Sequence, residues 1–288
     1  MMTRLALAFT DHTTPPRGPI TRSLFKASDK LSIPRLFTSR PENWDAHDLI
    51  LWFHNKPPKM KTRARVAWWM CDLRPPEVLR KYGPSTANMI FLSNEHYLDA
   101  YSKEYRVPTH YLPQCGIDDP PLTKGFRDIV EPCVFIGAVP TIIKPEPYDY
   151  HNNRKGILDA IEAGGFPVRV INNERVTPDQ RIIYAMTQFS LAISTPVQGY
   201  TSNRLYNILS SKGFCVTLKF PGIERMFENH KHLVWFDKAD EAVDVMRHYT
   251  EKPEERVRIR RLGYREYLRN HTAVERLRRV VEIVRSSV

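Results

Sequence analysis

The stretch that decides the fold is Phe189-Ser190-Leu191-Ala192-Ile193-Ser194, followed across a short loop by Gln198-Gly199-Tyr200-Thr201-Ser202-Asn203-Arg204-Leu205-Tyr206-Asn207-Ile208-Leu209-Ser210-Ser211-Lys212-Gly213-Phe214. The first run is short, apolar and bounded by polar residues, and reads as a buried strand. The second carries apolar residues at helical spacing (Leu205, Ile208, Leu209) behind Ser202, a residue type that opens helices, and closes at Gly213. A further apolar run over 214–218 follows at once. Strand, helix, strand with short connections is a βαβ unit, whose two strands must run parallel.

The same alternation extends in both directions. In the second half it predicts strands over 133–137, 167–171, 189–194, 214–218 and 233–236, and helices over 152–163, 178–186, 202–212, 240–250, 253–270 and 272–286. In the first half it predicts strands over 4–9, 48–54, 66–71, 87–93 and 109–112, with helices over 21–30 and over 94–105, the latter opening at Asn94. The runs 48–54 and 66–71 are apolar without alternation, as strands covered on both faces are. Between Pro113 and Pro132 the periodicity fails among prolines. The expected fold class is therefore α/β, with two Rossmann-like doubly wound domains facing a cleft. Their boundaries are expected at 1–125 and 126–271, with a helix over 272–288 packing back on the first domain.

Composition agrees with this reading. The chain has 288 residues, 42% apolar and 26% charged, enough to build buried cores and unlike disordered, collagenous or disulfide-framed chains. No apolar run approaches the length of a bilayer span, and none resembles a signal-peptide core, so a cytoplasmic protein is expected (host cytoplasm if the chain is viral). Cys71, Cys115, Cys133 and Cys215 show no Cys-x-x-Cys spacing and read as reduced, buried residues. The net charge of +11 favours an anionic partner such as phosphate or nucleic acid.

The helix opening at Ser202 supplies the first candidate site. Its first turn presents amide N–H groups and the positive end of a helix dipole, which suit a diphosphate. Arg204 stands where a cation opposes that dipole, an arrangement that makes sense beside a bound anion. The alternative is a capped helix with a solvated arginine. Asn207, one turn on, can hydrogen-bond a sugar or ribose hydroxyl. The loop Gly199-Tyr200-Thr201 completes this group. A second strand-to-glycine turn ends at Gly137, and Arg154 and Lys155 open the next helix, where they can clamp phosphate oxygens.

Residues 200–214, followed by Pro221-Gly222-Ile223-Glu224-Arg225-Met226-Phe227, resemble the carboxy-terminal domain of GT-B glycosyltransferases of the CgeB type. That group has a T-x-R-x-(F/Y)-E-I-L-A-x-G-G run and a P-G-x-E-x-x-F turn. Trp235-Phe236-Asp237, Asp240-Glu241-Ala242, Lys252-Pro253-Glu254-Glu255-Arg256, Gly263-Tyr264-Arg265 and His271-Thr272 follow its later pattern. In the first half, 91–95 and 111–118 are similar to the end of its amino-terminal domain, so the resemblance covers about 87–288. It implies a nucleotide sugar such as UDP-glucose held mostly by the second domain. Where the family has a glutamate for the ribose, this chain has Asn207, and Glu224 is the next carboxylate downstream.

In that architecture the first domain takes the acceptor. Two acid-poor basic segments lie there, and Lys56, Lys59, Lys61 and Arg63, with Arg74, are the expected acceptor or DNA contacts. The same runs also read as solvated surface. Glycosyl transfer needs a group to take the acceptor proton. Asp72, after the strand ending Trp68-Trp69-Met70-Cys71, is the first candidate, with helix capping as its alternative. Asp11 and His12 form a second pair. His230 and His232 lack a third ligand, and no Asp-x-Asp occurs, so no metal is expected and dipoles with Arg and Lys are left to hold the diphosphate. The arginines of the tail, Arg256 to Arg279, read as solvated faces of amphipathic helices. The leading expectation is a hexosyltransferase moving glucose from a nucleotide sugar to a polyanionic acceptor, 5-hydroxymethylpyrimidine in DNA. The alternatives are a cell-surface or spore polysaccharide glycosyltransferase and a non-catalytic nucleic-acid-binding protein on the same fold.

Overall fold

The computed structural model describes residues 5–9, 19–37, 41–118, 131–139, 154–171 and 180–287. The chain divides into two compact units. The first holds residues 1–118, 198–200 and 272–288, and the second holds 119–197 and 201–271.

The first unit runs β1 (Leu5–Phe9), α1 (Pro19–Lys30), β2 (Arg35–Phe37), β3 (Leu49–Phe53), β4 (Arg65–Met70), β5 (Met89–Leu92), α2 (Leu98–Tyr105) and β6 (Thr109–Tyr111). Short 3-10 turns at Pro41–Ala46 and Pro76–Tyr82 stand where longer helices would otherwise cross over. The strands form one parallel sheet in the order β2-β1-β3-β4-β5-β6. β2, three residues long and at the edge, is too short to register as a pattern in the sequence. Alternate side chains serve opposite faces. Leu49, Leu51, Ala67, Trp69 and Phe91 pack under α1 and under α8 (Ala273–Ser286), whereas Ile50, Trp52, Val66, Trp68 and Ile90 meet Leu79 and Tyr101 on the other side. This double coverage is why these strands read as unbroken apolar runs. α8 starts at Thr272, whose hydroxyl accepts from the Glu275 amide, and the Asp118 carboxylate accepts from the Ala273 amide at 2.7 Å.

Asn94 does not cap α2. Its side-chain oxygen accepts from the Tyr97 amide at 2.9 Å, forming a turn ahead of a helix that begins only at Leu98.

The second unit runs β7 (Glu131–Ile136), α3 (Arg154–Ala163), β8 (Val168–Ile171), α4 (Gln180–Met186), β9 (Thr187–Ala192), α5 (Asn203–Ser210), β10 (Cys215–Leu218), β11 (Val234–Phe236), α6 (Ala239–Thr250) and α7 (Pro253–Asn270). Its parallel sheet has the order β11-β10-β9-β7-β8. Phe135, Phe189, Val216 and Phe236 fill one face with α3 and α6. Val134, Ala192 and Cys215 fill the other with Tyr184, Leu205, Tyr206 and Tyr267.

Two arginines of α7 are buried rather than solvated, contrary to the amphipathic reading. Arg256 donates to the carbonyls of Tyr249 and Thr250 at the end of α6, and Arg260 donates to Lys212 O and Ala185 O, each at 2.6 Å, beyond α5 and near the end of α4. The last carbonyls of a helix lack intrahelical partners, so these two cations between them reach the ends of α4, α5 and α6, satisfying carbonyls there and complementing their dipoles. Arg276 is likewise buried and donates to Gln114 O at 3.0 Å. Among the described residues no helix is long and apolar enough to cross a membrane.

Candidate functional site

In the second sheet the strand order reverses between β7 and β9, and open α/β sheets place ligands outside the carboxyl ends of their strands at such a reversal. Arg204 marks the spot. Its Nε donates to the carbonyl of Ile136, the last residue of β7, and its Nη1 to the carbonyl of Ile193, just past β9, at 3.0 Å. The guanidinium lies 4.3 Å from the centre of the Phe135 ring, and the residue is 8% exposed. Arg204 is thus neither a solvated arginine nor an open clamp, since its donors are drawn to backbone carbonyls at the ends of β7 and β9. Its charge still stands at the reversal. Burial suppresses ionisation of Tyr184 and Cys215, and the Arg204 charge opposes that effect at both.

Gly137 makes room for this bridge. It has φ 151°, and a Cβ on it would lie 2.2 Å from Arg204 Nη2. Ser202 occupies the position before α5 but does not cap it. Its hydroxyl bonds Ser194 Oγ at 3.0 Å, and Ser194 Oγ also accepts from the Ser202 amide at 3.2 Å. The expected serine side-chain cap is therefore absent; the Leu205 amide bonds Ser202 O at 3.2 Å, and the Asn203 and Arg204 amides ahead of it receive no side-chain cap. Thr201 and Asn207 are each 2% exposed, and Thr201 Oγ1 and Asn207 Oδ1 have no hydrogen-bond partner among the described residues. Buried polar atoms are seldom left so.

The other donor-side candidates scatter. Arg154 donates to Ala138 O beside Gly137 and stays near the turn. Lys155 does not; it pairs with Asp159 at 2.5 Å along the outside of α3, because the (i, i+4) spacing puts the two on one face. Gly199 and Tyr200 group with the first unit, where Tyr111 Oη donates to Gly199 O at 2.7 Å and the Glu95 amide to Gln198 O at 3.0 Å. Glu224 lies in a 3-10 turn after β10. Its carboxyl is held below the usual range by its own backbone N–H and by Lys219, 3.3 Å away.

In the first sheet the order reverses between β1 and β3. Asp11 and His12, which follow β1, lie outside the described residues. Asp72 follows β4 at the carboxyl end and forms an ion pair with Arg74 at 2.8 Å, both side chains being about 40% exposed. It does not cap the following turn, which opens at Pro75 without a side-chain bond. Trp68 and Trp69 are fully buried, their N–H groups bonded to His54 O and to Ser93 Oγ and Leu112 O.

The basic loop between β3 and β4 does not present one surface. Its course is dictated by parallel pairing, which requires the chain to return from the carboxyl to the amino end of the sheet. Lys56 is near the carboxyl end, its amide donating to His54 Nδ1 at 2.9 Å. Lys59 and Lys61 flank Met60, whose amide bonds Thr86 ahead of β5. The Arg63 amide and Thr62 hydroxyl bond Asp45 ahead of β3, which fixes this part of the loop at the amino end. Lys56 and Arg74 remain on the ligand side of the sheet; Lys59, Lys61 and Arg63 do not.

His54 was missed by the sequence reading. It is the first polar residue beyond β3, where the carboxyl-end rule alone would have found it. Burial and then Lys56 hold its pKa below the usual value, while Asp72 acts in the opposite sense. Nδ1 accepts from the Lys56 amide, so the neutral ring carries its proton on Nε2 and offers a donor there. Among the described residues no group of three His, Cys, Asp or Glu is arranged to hold a metal ion.

Residues 153–282 match the family model described as glycosyl transferase-like. No curated protein matches the chain in sequence. Among solved structures, the fold is similar to that of HepE from Anabaena in complex with UDP and glucose (TM-score 0.59, 10% identity, 98% of this chain and 99% of that chain). It is also similar to β-glucosyltransferase of phage T4 with UDP-glucose (TM-score 0.62, 9% identity, 95% and 96%). A third neighbour is an α-glucosyltransferase solved with UDP-glucose and DNA containing an abasic site (TM-score 0.61, 8% identity, 98% and 99%). Two parallel-sheet units of this order and these structural likenesses agree on the GT-B fold, within which residues 153–282 match the glycosyl transferase-like family model.

Proposed function

We propose that the protein transfers glucose from UDP-glucose to a hydroxyl of a polyanionic acceptor, namely 5-hydroxymethylpyrimidine in DNA. The observation that carries the donor half is the Arg204 bridge at the β7/β9 reversal, beside an α5 start left free of a side-chain cap. The diphosphate docks on the α5 amides in the field of Arg204, and Thr201 and Asn207 supply hydrogen-bonding oxygens for the remainder of the nucleotide. The acceptor half is supported by the net charge of +11, by Lys56 and Arg74 at the carboxyl end of the first sheet, and by the DNA in the structure of one neighbour.

In the reaction, the acceptor oxygen bonds the anomeric carbon as the bond from that carbon to the diphosphate oxygen breaks, and UDP leaves with the electron pair. Asp72 takes the hydroxyl proton. Its partner Arg74 is drawn off by an acceptor phosphate, which frees the carboxylate when substrate arrives. His54, a donor at Nε2, orients the acceptor rather than deprotonating it.

The test incubates the protein with UDP-glucose and hydroxymethylated duplex DNA, followed by mass measurement of the digested nucleosides. A gain of one hexose, abolished by Asp72→Asn with UDP affinity unchanged and weakening steeply with salt, is expected. Transfer to neutral oligosaccharide that ignores salt would refute the acceptor assignment.

A further inference from the structure

Helix α7 carries a feature that the donor site does not use. Arg258, Arg261, Arg265 and Arg269 are all exposed, and at 100° per residue they fall within an arc of roughly 80° on the outer face, spanning about 16 Å. Arg258 donates to His230 O at 3.1 Å, and Arg269 acts on His232. Neither Arg261 nor Arg265 has an ion pair or hydrogen-bond partner among the described residues. Glu254, in the first turn, shares this face one turn before Arg258, but from Arg261 onward the face carries no acid: Glu255 lies at its border, and Glu266 turns away, 4.0 Å from His232 and 3.7 Å from His271. Like charges at (i, i+4), as in Arg261-Arg265-Arg269, weaken a helix by a few tenths of a kcal/mol per pair. Arg261 and Arg265 thus repel each other within the helix without the last-turn dipole that favours Arg269.

We infer that this stripe is a docking surface for the phosphate backbone of a nucleic-acid duplex. Arginine presents forked donors that match phosphate oxygens. Successive arginines rise about 6 Å along the axis, against 3.4 Å per phosphate on one strand, so each meets a separate phosphate. A lipid surface is disfavoured because most of the apolar side of α7 is buried, with Ile259 and Tyr267 in the core and Gly263 against His232 O; only Val257 and Leu268, 11 residues apart beside the stripe, are exposed, too few to form an inserting apolar face. The inference deepens the DNA-acceptor reading and rests on it.

The test compares the wild-type protein with Arg261→Glu/Arg265→Glu/Arg269→Glu, using fluorescence anisotropy on a labelled duplex across 50 to 200 mM salt. The expected result is an affinity loss above tenfold and a logarithmic salt slope shallower by about 2.7, at 0.9 per phosphate contact. UDP affinity and melting temperature stay as in the wild type, because the three side chains are exposed. Equal duplex affinity and slope in both proteins would overturn the inference, as would loss by the variant of binding only to phosphatidylserine vesicles or to polyglutamate. Glucosyl transfer to hydroxymethylated duplex is read separately. Transfer with an unchanged slope sinks the stripe alone, and an altered slope without transfer sinks the acceptor reading.

Discussion

Arg204→Ala separates a structural strut from a donor-binding charge. The substitution removes the bonds to Ile136 O and Ile193 O from a residue that is 8% exposed. Bonds from a charged donor contribute about 1.5–3 kcal/mol each, and part of that is regained because a buried charge no longer has to be desolvated. A net loss of about 2–4 kcal/mol follows, or roughly 5–15 °C in melting temperature at 2–4 °C per kcal/mol. Binding is affected separately. A unit charge about 6 Å from a phosphate at an effective dielectric of about 20 is worth about 3 kcal/mol, so UDP affinity falls on the order of 100-fold. Gly137→Ala provides an independent arm: its Cβ, 2.2 Å from Nη2, displaces the guanidinium without deleting it, and both readouts move in the same direction by less. Melting is followed by calorimetry, and UDP affinity by titration calorimetry at a temperature where circular dichroism shows the variant folded. A folded Arg204→Ala protein that binds UDP within twofold of the wild type would refute the placement of the diphosphate at this reversal, whatever its melting temperature.

Thr201→Val replaces a buried hydroxyl that has no partner among the described residues with a methyl group of similar shape; the free protein keeps or gains up to about 1 kcal/mol while UDP binding weakens. A fall in stability without a change in UDP affinity would show that Thr201 serves the fold only. Gly263→Ala sets a Cβ 2.1 Å from His232 O and 2.9 Å from Leu209 Cδ2, and costs about 2–3 kcal/mol even though alanine is the better helix former; a melting temperature at or above wild type refutes the close approach. His54, His110, His230 and His232 all have pKa values lowered, chiefly by burial. The unfolded chain binds protons first, so stability is intact above the unfolded value of about 6.5 and declines as pH falls below it toward the folded values. Melting temperatures flat between pH 7.5 and 5.5 would contradict this.

Helix α5 was legible because its signal is local. Ser202, the apolar spacing of Leu205, Ile208 and Leu209, and Gly213 all lie within about three helical turns of sequence. The partners of Arg204 were not legible, since Ile136 and Ile193 lie 68 and 11 residues away and meet it only when β7 and β9 pair. The same holds for Arg256 and Arg260, whose spacing on α7 looks like a solvated face until the ends of α4, α5 and α6 arrive beside it.

The sequence by itself determined the α/β class, because covering a strand on both faces leaves an unbroken apolar run that any reader of the chain can see, as in Leu49–Phe53. It also determined where one helix begins, after Ser202. Only the tertiary structure decided which end of a sheet each loop residue reaches. Lys56 and Arg63 are seven positions apart in the chain, yet one is bound to His54 after β3 and the other to Asp45 before it. Hydrophobic periodicity records how deeply a residue is buried, whereas strand order and direction, which set the neighbours of a charge, come from pairing between segments distant in sequence.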